Sequence, residues 1–327
     1  MAGGTEVPLR ILVLGGTKFL GRAIADAALA AGHELTLFNR GETNPELFPE
    51  AEKVRGNRDG DLSALEGRSW DAVIDPSGYV PRVVRASAEL LRDSGHYTFV
   101  SSCSVYASAA QPTTEASPVA TVEDESTEDV EQYYGALKAL CEAVVKEVFP
   151  GRALQVRAGL IVGPHDPTGR FTYWPHRIAR GDEVLVPGTP ERPVQLIDVR
   201  DLGEWIVRSA ETGLSGAFNV ISPPFPMREL LARCEGGAAF THVDERWLME
   251  RGVEPWMELP LWIPTYDPDW RCFMQTDVSK AAAAELTFRP LEQTARGALE
   301  HAELVEGVGL TPEREAQLLE EWRSRPT

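Results

Sequence analysis

The sequence predicts an α/β protein: a doubly wound parallel sheet covered by helices, with a smaller lobe toward the C-terminus. Three observations carry this. Short apolar runs alternate with Ala- and Leu-rich runs of helical spacing through the first half, the first strand turns on glycines straight into a helix, and the texture changes beyond Pro164, where seven of the eight tryptophans lie. Strands that alternate with helices pair in parallel, because each crossover returns the chain to the same end of the sheet.

In order, Leu9 to Leu14 reads as a strand, Arg22 to Ala31 as a helix and Leu35 to Phe38 as the second strand. Asp71 to Asp75 is a short buried strand, Arg82 to Arg92 is helical, with Val83, Ala86 and Leu90 on one face, and Tyr97 to Ser101 is a further strand. From Ser108 to Gln132 the chain is polar and acidic, without one Lys or Arg, and feeds a helix from about Thr127 to Val148 that stops at Pro150-Gly151. Leu154 to Val162 is the next strand. Leu196 to Glu211 and Ala217 to Ile221 are expected to return to the main sheet, so that residues 1–163 with 191–221 form one domain and 164–327 mainly the lobe and C-terminal helices. Thr311-Pro312-Glu313 places an N-cap, a first-turn proline and an acid at the start of a terminal helix.

Composition narrows the function. With 32 Lys and Arg against 50 Asp and Glu, the 327-residue chain has a net charge of −18, which repels phosphate backbones and leaves nucleic acid an unlikely partner. No apolar stretch approaches the roughly 18 residues of a membrane span, and Met1 to Arg10 lacks the layout of a secretory leader, so a cytoplasmic protein acting on small molecules is expected. Cys103, Cys141, Cys234 and Cys272 form no close pair, which favours reduced thiols and gives no metal site.

Gly15-Gly16-Thr17-Lys18-Phe19-Leu20-Gly21 sits between strand and helix, where a dinucleotide needs backbone N–H groups and the positive end of a helix dipole. The alternative is a tight turn without a ligand. With the alternation of elements, it makes the sheet Rossmann-type and the small lobe a substrate lobe. At the end of the second strand stand Asn39-Arg40, where a carboxylate would meet a free ribose hydroxyl; an arginine there suits a 2′-phosphate, which favours NADP(H) over NAD(H), unless Arg40 is an ordinary surface residue.

Tyr134 and Lys138 are four residues apart, hence on one helix face, where the ammonium can lower the phenol's pKa and make it a usable proton carrier. That spacing alone is common by chance. Ser102 ends a strand, where open α/β sheets bind ligands, and can orient the oxygen that Tyr134 protonates; Ser104 is a second candidate or a turn serine. In the lobe, His165 and Tyr173 follow a strand end and can meet a substrate, although a lone histidine is as well explained structurally. Trp256, Trp262 and Trp270 suit an apolar pocket and core packing equally.

The glycine turn, Ser101-Ser102-Cys103-Ser104-Val105-Tyr106, Tyr134-Gly-Ala-Leu-Lys138 and Val194 to Asp201 together resemble the extended short-chain dehydrogenases/reductases, and more narrowly the NAD-dependent epimerase/dehydratase group, over about Leu9 to Leu299. The resemblance implies Ser102, Tyr134 and Lys138 as catalytic residues, an adenine contact at Asn57, further cofactor contacts from Tyr134 and Lys138, and a homodimer built on the helices at Pro81–Arg92 and Thr127–Val148. Three departures qualify it. Lys18 replaces a glycine, as in atypical members such as chloroplast stem-loop RNA-binding proteins. Cys103-Ser104 replace the acidic pair of sugar dehydratases. Arg192 and Arg271 lie near, but not on, the arginine positions that hold a nucleotide sugar's diphosphate.

The reading is an NAD(P)-dependent oxidoreductase or epimerase that moves a hydride at a carbinol or carbonyl carbon through a tyrosine proton relay. Its rival is a nucleotide-dependent binding or RNA-associated regulatory protein without turnover.

Overall fold

The computed structural model describes residues 7–325; the first six residues of the segment read as lacking a leader lie outside them. Strands β1 (Arg10–Leu14), β2 (Glu34–Asn39), β3 (Glu52–Arg55), β4 (Ala72–Asp75), β5 (His96–Ser102) and β6 (Ala153–Ala158) alternate with helices α1 (Phe19–Ala30), α2 (Pro81–Leu90) and α3 (Val130–Val148). Next come β7 (Ile161–Val162), α4 (Tyr173–Ala179), β8 (Glu183–Pro187), β9 (Pro193–Val194), β10 (Ile197–Asp198), α5 (Val199–Glu211) and β11 (Gly216–Val220). The chain closes with β12 (Phe225–Pro226), α6 (Met227–Arg233), β13 (Ala239–Val243), α7 (Glu245–Glu250), α8 (Ser279–Ala283), α9 (Leu291–His301) and α10 (Pro312–Ser324).

Seven strands form one wholly parallel sheet in the order β11-β6-β5-β4-β1-β2-β3. This is the Rossmann-type architecture expected. Strand alternation splits β1 between two cores: Ile11 and Val13 pack under α1 and α5, while Leu12 and Leu14 face the opposite layer, which holds Val84 of α2 and Val144 of α3. Strand order reverses at β1, with β2 on one side and β4 on the other, which opens a crevice at their carboxyl ends.

Four details differ from the expectations. Edge strand β3 carries no sequence signal, because its four residues, Glu-Lys-Val-Arg, bury only Val54. The first helix begins three residues earlier, at Phe19, whose left-handed backbone (φ 40°) closes the glycine turn. Leu154 to Val162 is two strands: after Ala158 the chain leaves the main sheet, and β7 pairs with β10 in a separate two-stranded ladder. Leu196 to Glu211 therefore adds no strand to the main sheet; α5 covers its face beside α1, and β11 alone returns, as the edge partner of β6. The terminal helix forms as read, with the Thr311 hydroxyl accepting from the Arg314 backbone N–H.

The C-terminal lobe has its own apolar centres, one around Trp174, Leu230 and Ala298, the other around Trp262, Leu248 and Leu318. No helix among the described residues is long and apolar enough to cross a membrane, and no group of three or more His, Cys, Asp or Glu among them is placed to hold a metal. All four cysteines are free thiols.

Candidate active site

Two cavities meet at the carboxyl end of the sheet. The first, of 420 Å³, runs from Gly15 to Gly21 past Asn39 and Arg40 to Ser102, Tyr134 and Lys138. Its floor depends on Gly16, at φ +99°, where a Cβ would sit 2.5 Å from Leu37 Cδ2; glycine keeps the turn tight and its backbone bare. Lys18 stands in extended backbone at the start of α1 and lines the same cleft. The bare turn, the helix behind it and the exposed ammonium fit a dinucleotide's pyrophosphate.

Asn39 lines the cleft, but its amide is engaged locally: Nδ2 donates to the Gly15 carbonyl at 2.8 Å, and Oδ1 accepts from Gly41 N at 3.0 Å and from Arg55. It therefore braces the glycine turn. Arg40 also lines the cleft and pairs at 3.1 Å with Glu42, both side chains being well exposed. Asn57 is exposed, its side chain accepting from Asp59 N, and lies outside the lining of the cleft. Beside it, Arg58 is drawn inward to a fully buried Asp75, which also accepts from the Tyr97 hydroxyl at 3.0 Å. No local motif marks this pair, since Arg58 lies in the loop after β3 and Asp75 at the end of β4.

Helix α3 carries Tyr134 and Lys138. It is capped by Asp129, whose carboxylate accepts from Gln132 N, and breaks at Tyr133 just before the site. Gly135 allows its close approach: a Cβ there would fall 2.1 Å from the Ser104 carbonyl oxygen. This contact sets Tyr134 beside Ser102, whose hydroxyl also accepts from Ser104 N at 3.1 Å. Burial pushes the Tyr134 phenol up in pKa, and the Ser102 hydroxyl draws it part of the way back.

The expected lowering of that pKa by Lys138 is not what the structure shows. The buried ammonium donates to the carbonyls of Gly78 (2.6 Å) and Val100 (2.8 Å) and lies 4.6 Å from the centre of the Tyr79 ring but 6.0 Å from that of Tyr134. Burial lowers Lys138 to about 8.

The second cavity, of 510 Å³, shares the Ser102–Tyr134 wall with the first and extends into the lobe. Ser104 lines it, as do Trp256 and Trp270, while Trp262 is buried in the lobe core. Three other substrate candidates lie elsewhere. His165 is exposed, with its ring against His301 at 5.6 Å. Tyr173 is buried in the lobe core against Trp174. Arg192 is buried, donates to the Leu261 carbonyl at 2.7 Å and borders a separate small cavity. Arg170 and Phe273, absent from the sequence reading, line the second cavity. No local motif marks them; they converge only when the lobe folds over the strand ends.

The parallel sheet, with this paired cleft at its carboxyl end, is a Rossmann-type α/β fold. Residues 71–220 match the model of the NAD dependent epimerase/dehydratase family. Among solved structures, it is similar to the Bordetella bronchiseptica enzyme WbmG in complex with NAD, at TM-score 0.64 and 17% identity over 91% of this chain and 95% of that one. UDP-glucuronic acid 4-epimerase from Bacillus cereus in complex with NAD gives TM-score 0.62 and 13% identity over 90% and 96%. A curated relative, the chloroplast stem-loop binding protein of 41 kDa b of Arabidopsis thaliana, is 24% identical over 216 residues, 59% of this chain. The chain spans about half (53%) of that relative's length.

Proposed function

We propose that the protein is an NAD(P)-dependent oxidoreductase or epimerase that transfers a hydride at a carbinol or carbonyl carbon. The observation that carries this reading is the shared wall: Ser102 and Tyr134 border both the cleft that starts at the glycine turn and the cavity of the lobe, so one phenol faces both sides of a transfer. A bound nicotinamide supplies or accepts the hydride. The glycine turn and Lys18 hold the pyrophosphate, Lys138 serves the ribose, Ser102 orients the substrate oxygen, and Tyr134 gives or takes its proton.

Burial pushes the Tyr134 phenol up and so favours its protonated form, the one that donates to a carbonyl oxygen. Epimerisation uses the same groups, with the hydride returned to the opposite face. NADP(H) is the proposed cofactor form, on the strength of Arg40 in the cleft and the absence of a carboxylate at the end of β2; the solved relatives named above hold NAD.

A homodimer through α2 and α3 is proposed on the outer positions Ala86, Leu90 and Leu140, since Leu137 and Val144 are buried within the protomer. The reading is tested by identifying the nucleotide that co-purifies with the protein and by following hydride transfer from its reduced form to a panel of carbonyl compounds. The absence of both bound nucleotide and transfer overturns it in favour of a binding protein.

A further inference from the structure

We infer that the substrate cavity takes a compact aromatic or alicyclic carbonyl or hydroxy compound bearing one carboxylate. This rests on the proposed oxidoreductase reading and names its substrate class. Three rings form the far wall: Phe273 meets Trp256 edge to face (5.5 Å, 87°) and Trp270 (5.8 Å, 63°), and Trp270, 49% exposed, stands at the rim. Such a box favours a flat or ring-shaped apolar body. At the opposite wall, Ser102 and Tyr134 supply the hydroxyls that a carbonyl oxygen needs.

Charge decides the remainder. Arg170 is the one charged side chain that lines the cavity among the described residues; its guanidinium lies 5.5 Å from the centre of the Trp256 ring, and its buried Nε has no hydrogen-bond partner. Burial pushes the Asp166 carboxyl up and the Arg170 charge draws it down; its Oδ1 accepts from Thr168 N at 2.8 Å, and its Oδ2 is buried without a partner. One cation beside an aromatic box matches one carboxylate on a ring. A diphosphate needs more. Of the other arginines at this end, Arg192 donates through Nη1 to the Leu261 carbonyl, with Nε and Nη2 buried and without a partner, and Arg271 donates through Nε to the Ala110 carbonyl at 2.8 Å; neither lines the cavity. Cys103 adds no charge, because burial pushes its thiol up to about 12.

The test uses the full chain and quenching of tryptophan fluorescence by three probes: 4-acetylbenzoate, acetophenone and UDP-glucose. 4-Acetylbenzoate is expected to bind at least about tenfold more tightly than acetophenone, the factor that one charge-assisted contact confers, and more tightly than UDP-glucose. Arg170→Gln should erase the preference for the carboxylate while leaving acetophenone binding unchanged. Trp270→Ala, at the exposed rim, should weaken both ring compounds. Tighter binding of UDP-glucose, or an unchanged preference in Arg170→Gln, overturns the inference. Oxidation of the reduced nicotinamide is followed in parallel, so saturable binding of 4-acetylbenzoate without turnover supports the cavity assignment while counting against the redox reading.

Discussion

Lys138 lies one helical turn beyond Tyr134, yet its ammonium is bonded to the carbonyls of Gly78 and Val100 and stays 6.0 Å from the centre of the Tyr134 ring. The lysine thus ties α3 to the loop after β4 and to β5, and in this geometry the phenol is governed by burial and by Ser102. With Lys138 lowered to about 8, it is cationic at pH 7 and largely neutral at pH 9. Dinucleotide affinity should therefore fall over that interval in the wild type and stay level in Lys138→Met. A calorimetric titration at both pH values checks this; equal slopes would remove Lys138 from cofactor binding.

Tyr134→Phe should leave dinucleotide affinity nearly unchanged and lower turnover by a factor of about 10² to 10⁴, because the lost hydroxyl carries the proton and not the cofactor. Single-turnover hydride transfer separates the two effects. Equal rates in both proteins would show that the phenol is not the proton carrier.

Arg40 and Glu42 form an exposed pair at the cleft's edge, so the carboxylate competes with any 2′-phosphate for the guanidinium. NADP(H) should bind more tightly than NAD(H), Arg40→Ala should abolish the difference, and Glu42→Gln should widen it. Titration of both cofactors against the three proteins is the measurement, and equal affinities in the wild type would refute the preference.

Asp75 balances Arg58 in a buried site below the cleft and holds that guanidinium's pKa above its ordinary value against the opposing effect of burial. Asp75→Asn should destabilise the fold by about 3–5 kcal/mol by leaving a buried charge unpaired. Replacing both partners, Arg58→Met with Asp75→Leu, should recover most of this. Denaturant unfolding of the three proteins gives the values; a loss below about 1 kcal/mol in Asp75→Asn would place the pair in the range of surface ion pairs.

Light scattering at micromolar concentration should give twice the protomer mass of 35.9 kDa. On the outer face of α2 and α3 the ion pairs Arg82–Glu128 and Arg85–Glu147 are closed within the protomer, so dissociation should depend chiefly on Leu90 and Leu140. A single species of protomer mass would refute the dimer.

All of the main sheet but its edge strand β3, the glycine turn and the helix that carries Tyr134 and Lys138 are legible in the sequence, because each is written in local periodicity: alternation across β1, a run of small residues in α1, a four-residue spacing in α3. Gly135 was legible as part of that last motif, but its reason, the approach to the Ser104 carbonyl, was not. Only the tertiary structure decided which side chains meet. It sent Arg58 to Asp75 and Lys138 to two backbone carbonyls, moved His165 and Tyr173 away from the substrate cavity, and gathered Arg170, Trp256 and Phe273 from distant segments into its wall. Periodicity specifies which face of an element is apolar; the partners of a charge or a ring are set by how separate elements pack, and that information is spread over the whole chain.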